Sequence, residues 1–172
     1  MEDLKVLCEE KALALKTLFS KHHKVYTTAE SLTAGMISSF IVGVSGSSSW
    51  FDRGFVTYSN ESKMELIGVK EETLKSVSAV SEQTACEMAK GAILNSHADI
   101  SVSVTGIAGP EGGSALKPVG TVWIGGCVRD SYCAAKCFLF KGDREEVRER
   151  TVYEALKVLE SLTKGQDPFA DK

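Results

Sequence analysis

The spacing of apolar residues predicts helices and strands that alternate along most of the chain. In the first segment, Leu4, Leu7 and Leu15 recur at helical intervals. Residues 25–29 then carry the β-branched and aromatic side chains typical of a short strand. Further helices are predicted over 36–41, 60–67, 71–76, 82–93 and 144–162. The predicted N-caps are Ser59, Ser81 and Asp143, the last in a capping box with Glu146. Further strands are predicted over 54–58, 100–105, 119–128 and 133–140.

The order of these elements predicts the class of the fold. Helices and strands interleave through residue 105, after which two strands follow one another as a hairpin. This order is typical of an α/β protein with a largely parallel sheet, helices on both faces and one antiparallel strand from the hairpin. Ligands of such sheets bind beyond the carboxyl ends of the strands, so the loops at that edge are where we expect the chemistry.

Length, charge and cysteine content narrow the class of protein. A chain of 172 residues suits one domain, with a tail over 166–172 that we expect to be flexible. The formal net charge of −3 argues against nucleic-acid binding, which needs a basic face. There is no membrane-length apolar run and no signal-peptide pattern, so we expect a cytoplasmic protein without membrane contact. The five cysteines form no C-x-x-C pair, which favours reduced thiols.

Three loops that follow predicted strands carry residues unlike those of ordinary connections. The first places the Ser31 hydroxyl on a strand-to-helix turn. The second places the Tyr58 phenol at a strand end, with Lys63 five residues later. The third, from Thr105 to Gly113, holds four glycines in nine residues. Glycines let backbone N–H groups approach a ligand closely and surround an anion.

A serine hydroxyl needs a base before it can act as a nucleophile. The histidines of the chain are His22, His23 and His97. All three precede predicted strands and would lie at the opposite edge of a parallel sheet, on the order of 16 Å from Ser31. The remaining candidates are Lys63, Tyr58 and Glu30, because a lysine desolvated in a cleft can act as a base and a neighbouring tyrosine can relay the proton.

Each of these residues also has an ordinary structural interpretation. Ser31 can be a turn or cap residue, Tyr58 an aromatic at a strand end, and Lys63 a solvated charge on a helix. Arg144 and Arg148 of the last helix are expected to be solvated, with contact to a phosphate group as the alternative. The Gly-rich loop has neither the P-loop nor the Rossmann spacing, so the identity of its ligand stays open.

Five segments of the chain recur in the same order in one known family. They are Ala29–Ser31, Gly54–Lys63, Ala79–Glu82, Thr105–Pro110 and Lys117–Val122. In these segments the chain resembles the CinA C-terminal domain family, the competence-damage-inducible-like proteins, over about residues 5 to 163. The resemblance implies a single domain over 1–165, folded as a three-layer α/β/α sandwich with a mostly parallel mixed sheet and often present as a homodimer.

The enzymatic members of this family are nicotinamide-nucleotide amidases, and this implies an activity. The reaction hydrolyses the carboxamide of nicotinamide mononucleotide to nicotinic acid mononucleotide and ammonia in pyridine nucleotide recycling, with no metal or other cofactor. The nucleophile of the family falls on Ser31, its lysine base on Lys63 and its assisting tyrosine on Tyr58. The residues implied to bind the nucleotide are Glu30, Thr33, Gly35, Thr105, Gly106, Gly109, Gly112 and Gly113.

The nucleophile motif of this chain departs from the family pattern at two positions. The family sequence is usually Glu-Ser-Cys-Thr-Gly-Gly, whereas this chain has Leu32 and Ala34 at the third and fifth positions. Ala34 restricts a backbone position that glycine leaves free, which obstructs the turn if that position needs a positive φ. We expect activity because the nucleophile is retained; the alternatives are a non-catalytic nucleotide-binding paralogue and a serine–lysine amidase for another carboxamide.

Overall fold

A computed structural model describes residues 3–171 as one five-stranded sheet with helices on both faces. Its helices are α1 (Leu4–His22), α2 (Met36–Val42), α3 (Asn60–Ile67), α4 (Glu71–Val77), α5 (Glu82–Leu94) and α6 (Arg144–Thr163), with a 3₁₀ turn at Ser47–Ser49. Its strands are β1 (Tyr26–Glu30), β2 (Phe51–Val56), β3 (Ile100–Gly106), β4 (Thr121–Val128) and β5 (Tyr132–Leu139). The predicted α/β architecture is confirmed.

The strand order is β2-β1-β3-β4-β5. Strand β1 runs parallel to both β2 and β3, while β4 is antiparallel to β3 and to β5. The hairpin therefore supplies the single antiparallel strand, as predicted. Because β1, β2 and β3 end at the same edge, the loops beginning at residues 31, 57 and 107 share it, whereas all three histidines lie at the opposite, amino edge.

Helix ends that the sequence marks with polar residues occur where predicted. The Ser59 hydroxyl accepts from the amide of Ser62 at the start of α3, and the Ser81 hydroxyl caps α5 in the same way. Asp143 and Glu146 form a reciprocal capping box at the start of α6. These contacts satisfy amides that have no partner within the helix, and each typically stabilises it by about 1 kcal/mol.

The main hydrophobic core lies between the sheet and α1, α2 and α6. Strand β3 contributes Ile100, Val102 and Val104 to it, each at most 1% exposed. The intervening residues face α5, where the Ser101 hydroxyl donates to a helix carbonyl at 2.7 Å and the Ser103 hydroxyl to another at 2.6 Å. The alternation in this strand therefore separates an apolar buried face from a hydroxyl-bearing buried face, and neither side is open to solvent.

Strand β2 begins and ends earlier than predicted. It spans Phe51–Val56 rather than 54–58, because Phe51 already pairs with Tyr26 across the parallel ladder. A Cβ at Gly54 would lie 2.3 Å from the Ser38 hydroxyl, so this glycine lets α2 approach the sheet. The consequence for the site is that Tyr58 lies in the connection to α3 and not in the strand.

The prediction that all the cysteines are reduced is wrong for two of them. Cys127 and Cys133 stand directly opposite each other on β4 and β5, with their Cα atoms 4.1 Å apart, and form a disulfide. Cys8, Cys86 and Cys137 are free thiols. Of the last residues, Phe169 packs partly against the main core; flexibility of the tail stays a prediction, and Lys172 lies outside the described residues.

Candidate active site

Ser31 is the first residue after β1 and is held at the sheet edge by its own backbone. Its amide donates to the carbonyl of Val104 in the neighbouring strand at 3.1 Å, and its carbonyl accepts from the amide of Ala34. The residue is 7% exposed, so its hydroxyl lies at the boundary between the interior and solvent. The parallel pairing of β1 with β3 therefore fixes the position of the hydroxyl.

Lys63 reaches this hydroxyl from the second turn of α3. Its Nζ lies 3.1 Å from Ser31 Oγ and donates to the carbonyls of Thr57 at 2.8 Å and Tyr58 at 3.0 Å. The residue is 1% exposed. Because burial disfavours the charged form, it lowers the pKa of the Lys63 amine from an ordinary value of 10.5 to about 8.

The two carbonyl contacts decide what the neutral amine can do. Carbonyl oxygens only accept, so they retain two N–H bonds of Lys63 whatever its protonation state. The third position of the nitrogen meets Ser31 Oγ. In the neutral amine this position is the lone pair, which is able to accept a proton from the serine hydroxyl. The predicted serine–lysine pairing is thus present as a direct contact.

Tyr58 contributes to this arrangement through its backbone. Its carbonyl binds Lys63, while its side chain is 65% exposed. Among residues 3–171, the phenol makes no hydrogen bond to Ser31 or Lys63. Assistance by this tyrosine stays a prediction. The contact of the Thr57 carbonyl with Lys63 was not predicted, because every residue type has the same backbone carbonyl.

Glu30 is fully buried and organises the turn after β1 that carries Ser31. Its carboxylate accepts from the hydroxyl of Thr33 at 2.7 Å and from the amides of Ile37 at 2.9 Å and Ser38 at 3.0 Å. The two amides belong to the first turn of α2, where they lack helical partners. Glu30 and Thr33, both predicted to bind the nucleotide, therefore direct these hydrogen bonds into the turn itself.

The loop after β3 combines packed positions with free backbone donors. The Thr105 hydroxyl donates to the carbonyl of Ala79 at 2.8 Å, and a Cβ at Gly106 would lie 2.7 Å from the Thr121 carbonyl. Gly109 and Gly112 have φ of 85° and 90°, which suit glycine. Within residues 3–171, several amides of the loop have no acceptor: those of Ala108, Gly109, Gly112 and Gly113.

Two arginines of α6 bind backbone carbonyls, one in the Gly-rich loop after β3 and the other in the turn after β1. Arg144 Nη1 donates to the carbonyl of Gly109 at 2.7 Å. Arg148 Nε donates to the carbonyl of Leu32 at 2.9 Å, and its Nη2 to that of Thr33 at 3.3 Å. Arg144 is exposed, as expected, although it also contacts the Gly-rich loop, whereas Arg148 is only partly exposed because it donates to the turn after β1.

Leu32 and Ala34, the two residues that depart from the family pattern, differ in their effect on the turn after β1. Leu32 is 4% exposed and joins the main core, so the larger apolar side chain is accommodated. Ala34 has a φ of 47°, and the following Gly35 has a φ of 95° at the start of α2. A left-handed conformation costs a residue with a Cβ roughly 1–2 kcal/mol, so Ala34 strains the turn.

Two kinds of feature are absent from residues 3–171: a cluster of metal-ligating side chains and a helix of membrane-spanning length and hydropathy. Within residues 3–171, no three His, Cys, Asp or Glu side chains lie close enough together to hold a metal ion. None of the helices in this range combines the length and apolar character that a membrane crossing requires.

Fold and site together define a class of α/β/α proteins with a buried serine–lysine pair beyond the carboxyl ends of parallel strands. The sequence profile of the CinA C-terminal domain matches residues 9–163. This chain belongs to that family, as its motifs predicted.

Relatives and a solved structure of this family match most of the chain. Nicotinamide-nucleotide amidohydrolase PncC of Escherichia coli K12 is 46% identical over 157 residues, covering 91% of this chain and 93% of that protein. The protein of the same name from Enterobacter agglomerans is 57% identical over 122 residues, covering 71% and 74%. The crystal structure of competence/damage inducible protein CihA from Agrobacterium tumefaciens superposes with a TM-score of 0.88 at 43% identity, covering 91% and 95%.

Replacing Ala34 with glycine should relieve the strain in the turn after β1. We expect Ala34→Gly to raise the free energy of unfolding by about 1 kcal/mol, the relief of a left-handed Cβ less the added entropy of the unfolded chain. Urea unfolding followed by circular dichroism measures the change. The matched control Ala14→Gly lies within helix α1 and should lower the same quantity by about 1 kcal/mol. Equal losses in both variants would contradict the strain.

Proposed function

We propose that this chain hydrolyses the carboxamide of nicotinamide mononucleotide to nicotinic acid mononucleotide and ammonia. The observation that carries the proposal is the buried contact of 3.1 Å between Lys63 Nζ and Ser31 Oγ. An alcohol paired with a desolvated amine can perform acyl transfer without histidine. The choice of substrate is supported by the family's relatives named nicotinamide-nucleotide amidohydrolase.

The first half of the reaction transfers the acyl group to the serine. Neutral Lys63 takes the proton from Ser31 Oγ, and the oxygen attacks the carboxamide carbon. The amides of Leu32 and Thr33 have no acceptor within residues 3–171, so they are the donors we assign to the oxyanion. Lys63 then returns the proton to the leaving nitrogen, and ammonia departs.

The second half releases the acid. Water attacks the acyl carbon while Lys63 again accepts a proton, and the C–O bond to Ser31 breaks as the proton returns to its oxygen. The products are nicotinic acid mononucleotide, whose carboxyl group then loses its proton to solvent, and a regenerated serine. The proton transfers at Ser31, at the leaving nitrogen and from water pass through Lys63, and the proposed reaction uses no metal or other cofactor.

The surrounding residues complete the proposal. Backbone groups of Gly35, Gly106 and the loop from Gly109 to Gly113 contact the nucleotide, while Glu30, Thr33 and Thr105 keep their loops in position. We assign Tyr58 as an assistant in proton transfer. The reaction would recycle pyridine nucleotides in the cytoplasm, with the chain present as a homodimer.

Removal of the Ser31 hydroxyl tests the nucleophile. Ser31→Ala should lower kcat for ammonia release from nicotinamide mononucleotide by several orders of magnitude, because no acyl-enzyme can form. An enzyme-coupled ammonia assay measures the rate, and circular dichroism checks that the fold is retained. Turnover near the wild-type rate in a folded variant would exclude Ser31 as the nucleophile.

A non-catalytic nucleotide-binding protein is the second candidate, since Ala34 strains the nucleophile turn. In that case calorimetry would detect binding of nicotinamide mononucleotide by the wild type, while the assay would detect no ammonia. Ammonia from another carboxamide in a small panel, but not from this nucleotide, would point to an amidase of different specificity.

The pKa of Lys63 predicts how the rate depends on pH. The active form is the neutral amine, whose fraction rises with pH up to the pKa of about 8. We therefore expect kcat/KM to rise roughly tenfold per pH unit below that value and to level off above it. Rates of ammonia release measured across this range test the sign, with Lys63→Met as an inactive control. A profile that falls with rising pH in this range would contradict a lysine base.

The assisting role of Tyr58 depends on its hydroxyl. If the phenol relays the proton, Tyr58→Phe should lower kcat by about 10²- to 10⁴-fold while KM changes little. If only its backbone carbonyl matters, as the contact to Lys63 allows, the variant keeps nearly full activity. Steady-state kinetics of ammonia release separates the two, and unchanged kcat would exclude the relay.

A further inference from the structure

Thr57 carries a buried hydroxyl that the reaction above does not use. The residue is fully buried, and within residues 3–171 its Oγ1 has no hydrogen-bond partner. Buried hydroxyls of folded proteins nearly always have one. Every other buried threonine hydroxyl in this range does have a partner. Thr57 is therefore the exception among the buried threonines, and it lies at the candidate active site.

The register of β1 and β2 places this hydroxyl on the same face of the sheet as the serine–lysine pair. The ladder pairs Glu30 with Val56, and the Thr57 amide extends it by donating to the Glu30 carbonyl at 2.9 Å. A Cβ at Gly35 would lie 3.7 Å from Val56 Cγ2, so Val56 points towards the start of α2. Because successive side chains alternate between faces, Thr57 points to the opposite face, where α3 packs and carries Lys63.

Thr57 already holds the lysine amine through its backbone. Its carbonyl accepts from Lys63 Nζ at 2.8 Å, the shortest of the three contacts of that nitrogen. With Nζ bound to two carbonyls and to Ser31 Oγ, the resting amine has no further hydrogen-bonding position to offer the Thr57 hydroxyl. The hydroxyl becomes a partner for Lys63 only when one of these contacts is released.

Breakdown of the tetrahedral intermediate requires such a release. After the attack, the proton taken from Ser31 is on Lys63, and the new N–H faces the serine oxygen. As the C–N bond breaks, its electron pair stays with the nitrogen, which takes this proton and leaves as ammonia. The Lys63 ammonium must therefore turn from the serine oxygen towards the leaving nitrogen, and the turn draws its other N–H groups away from the carbonyls.

We propose that the Thr57 hydroxyl accepts an N–H of the Lys63 ammonium during this turn and so positions the lysine as the acid for the leaving nitrogen. The inference rests on the proposed function. It makes Thr57 a positioning residue, because its fully buried hydroxyl acts through Lys63 and does not touch the substrate. A leaving group that departs as a stable anion needs no such proton, so only amide substrates depend on this hydroxyl.

The experiment compares an amide with an activated ester. Thr57→Val removes the hydroxyl and keeps the shape of the side chain. It should lower kcat/KM for ammonia release from nicotinamide mononucleotide by about 10- to 100-fold, mainly through kcat, because the loss falls on the intermediate and not on substrate binding. The rate of p-nitrophenol release from p-nitrophenyl acetate should change by less than about twofold. Thr57→Ser, which restores a hydroxyl, should recover most of the amide activity.

The stability of the same variant separates this role from a structural one. Removal of an unpartnered buried hydroxyl should raise the midpoint of urea unfolding by about 0.5 M, so Thr57→Val loses amide turnover while it gains stability. The matched control Thr151→Val lies in α6, where the hydroxyl donates to the Val147 carbonyl, and it should leave both rates unchanged. A lower midpoint with equal losses on amide and ester would overturn the inference.

Unchanged amide turnover in Thr57→Val would also overturn it. A chromogenic pair keeps the test separate from the proposed function. If nicotinamide mononucleotide releases no ammonia, p-nitroacetanilide supplies a nitrogen leaving group on the same acyl group as the ester. A loss confined to the anilide in Thr57→Val supports the role without the nucleotide. Equal anilide rates in variant and wild type, or no cleavage of the anilide by the wild type, contradict it.

Discussion

Burial of the Lys63 amine beside Ser31 is the constraint on which the rest of the site depends. A buried ammonium destabilises a fold unless it finds hydrogen-bond partners or loses its proton. Here the carbonyls of Thr57 and Tyr58 supply the partners, at 2.8 and 3.0 Å from Nζ. These carbonyls follow β2 and the serine follows β1, so the amine reaches all three oxygens only when the parallel pair and α3 have formed.

Glu30 is a buried carboxylic side chain at the same strand end, and within residues 3–171 it forms no ion pair with Lys63. Glu30 and Ser31 are successive residues, so their side chains point in opposite directions at the strand end. The Ser31 hydroxyl contacts Lys63, whereas Glu30 accepts from the amides of Ile37 and Ser38 in α2. The positive end of the helix dipole favours the carboxylate there. A carboxylate paired with Lys63 would raise the amine's pKa and keep it protonated; burial alone shifts that pKa, and it lowers it.

Local and long-range features of this molecule differ in how well the sequence predicts them. The caps at Ser59 and Asp143 involve residues three apart, and their positions were predicted correctly. The contact of Lys63 with Ser31 was expected because the two residues follow neighbouring parallel strands, whose carboxyl ends lie at the same edge of the sheet. The carbonyl contacts to Lys63 and the bridge from Arg148 to Leu32 were not predictable, because backbone oxygens are common to all residues and the bridge spans 116 positions.

The strain at Ala34 does not displace Ser31, because other contacts hold the serine in position. The Ser31 amide is fixed to Val104, and the Glu30 carboxylate ties the start of α2 to the end of β1. Arg148 adds a third attachment through the Leu32 carbonyl. Ala34 itself is exposed, so its methyl group displaces no buried neighbour and its cost is confined to its own backbone. The turn therefore loses some stability at Ala34 without losing the position of the hydroxyl, which favours the hydrolase over the non-catalytic alternative.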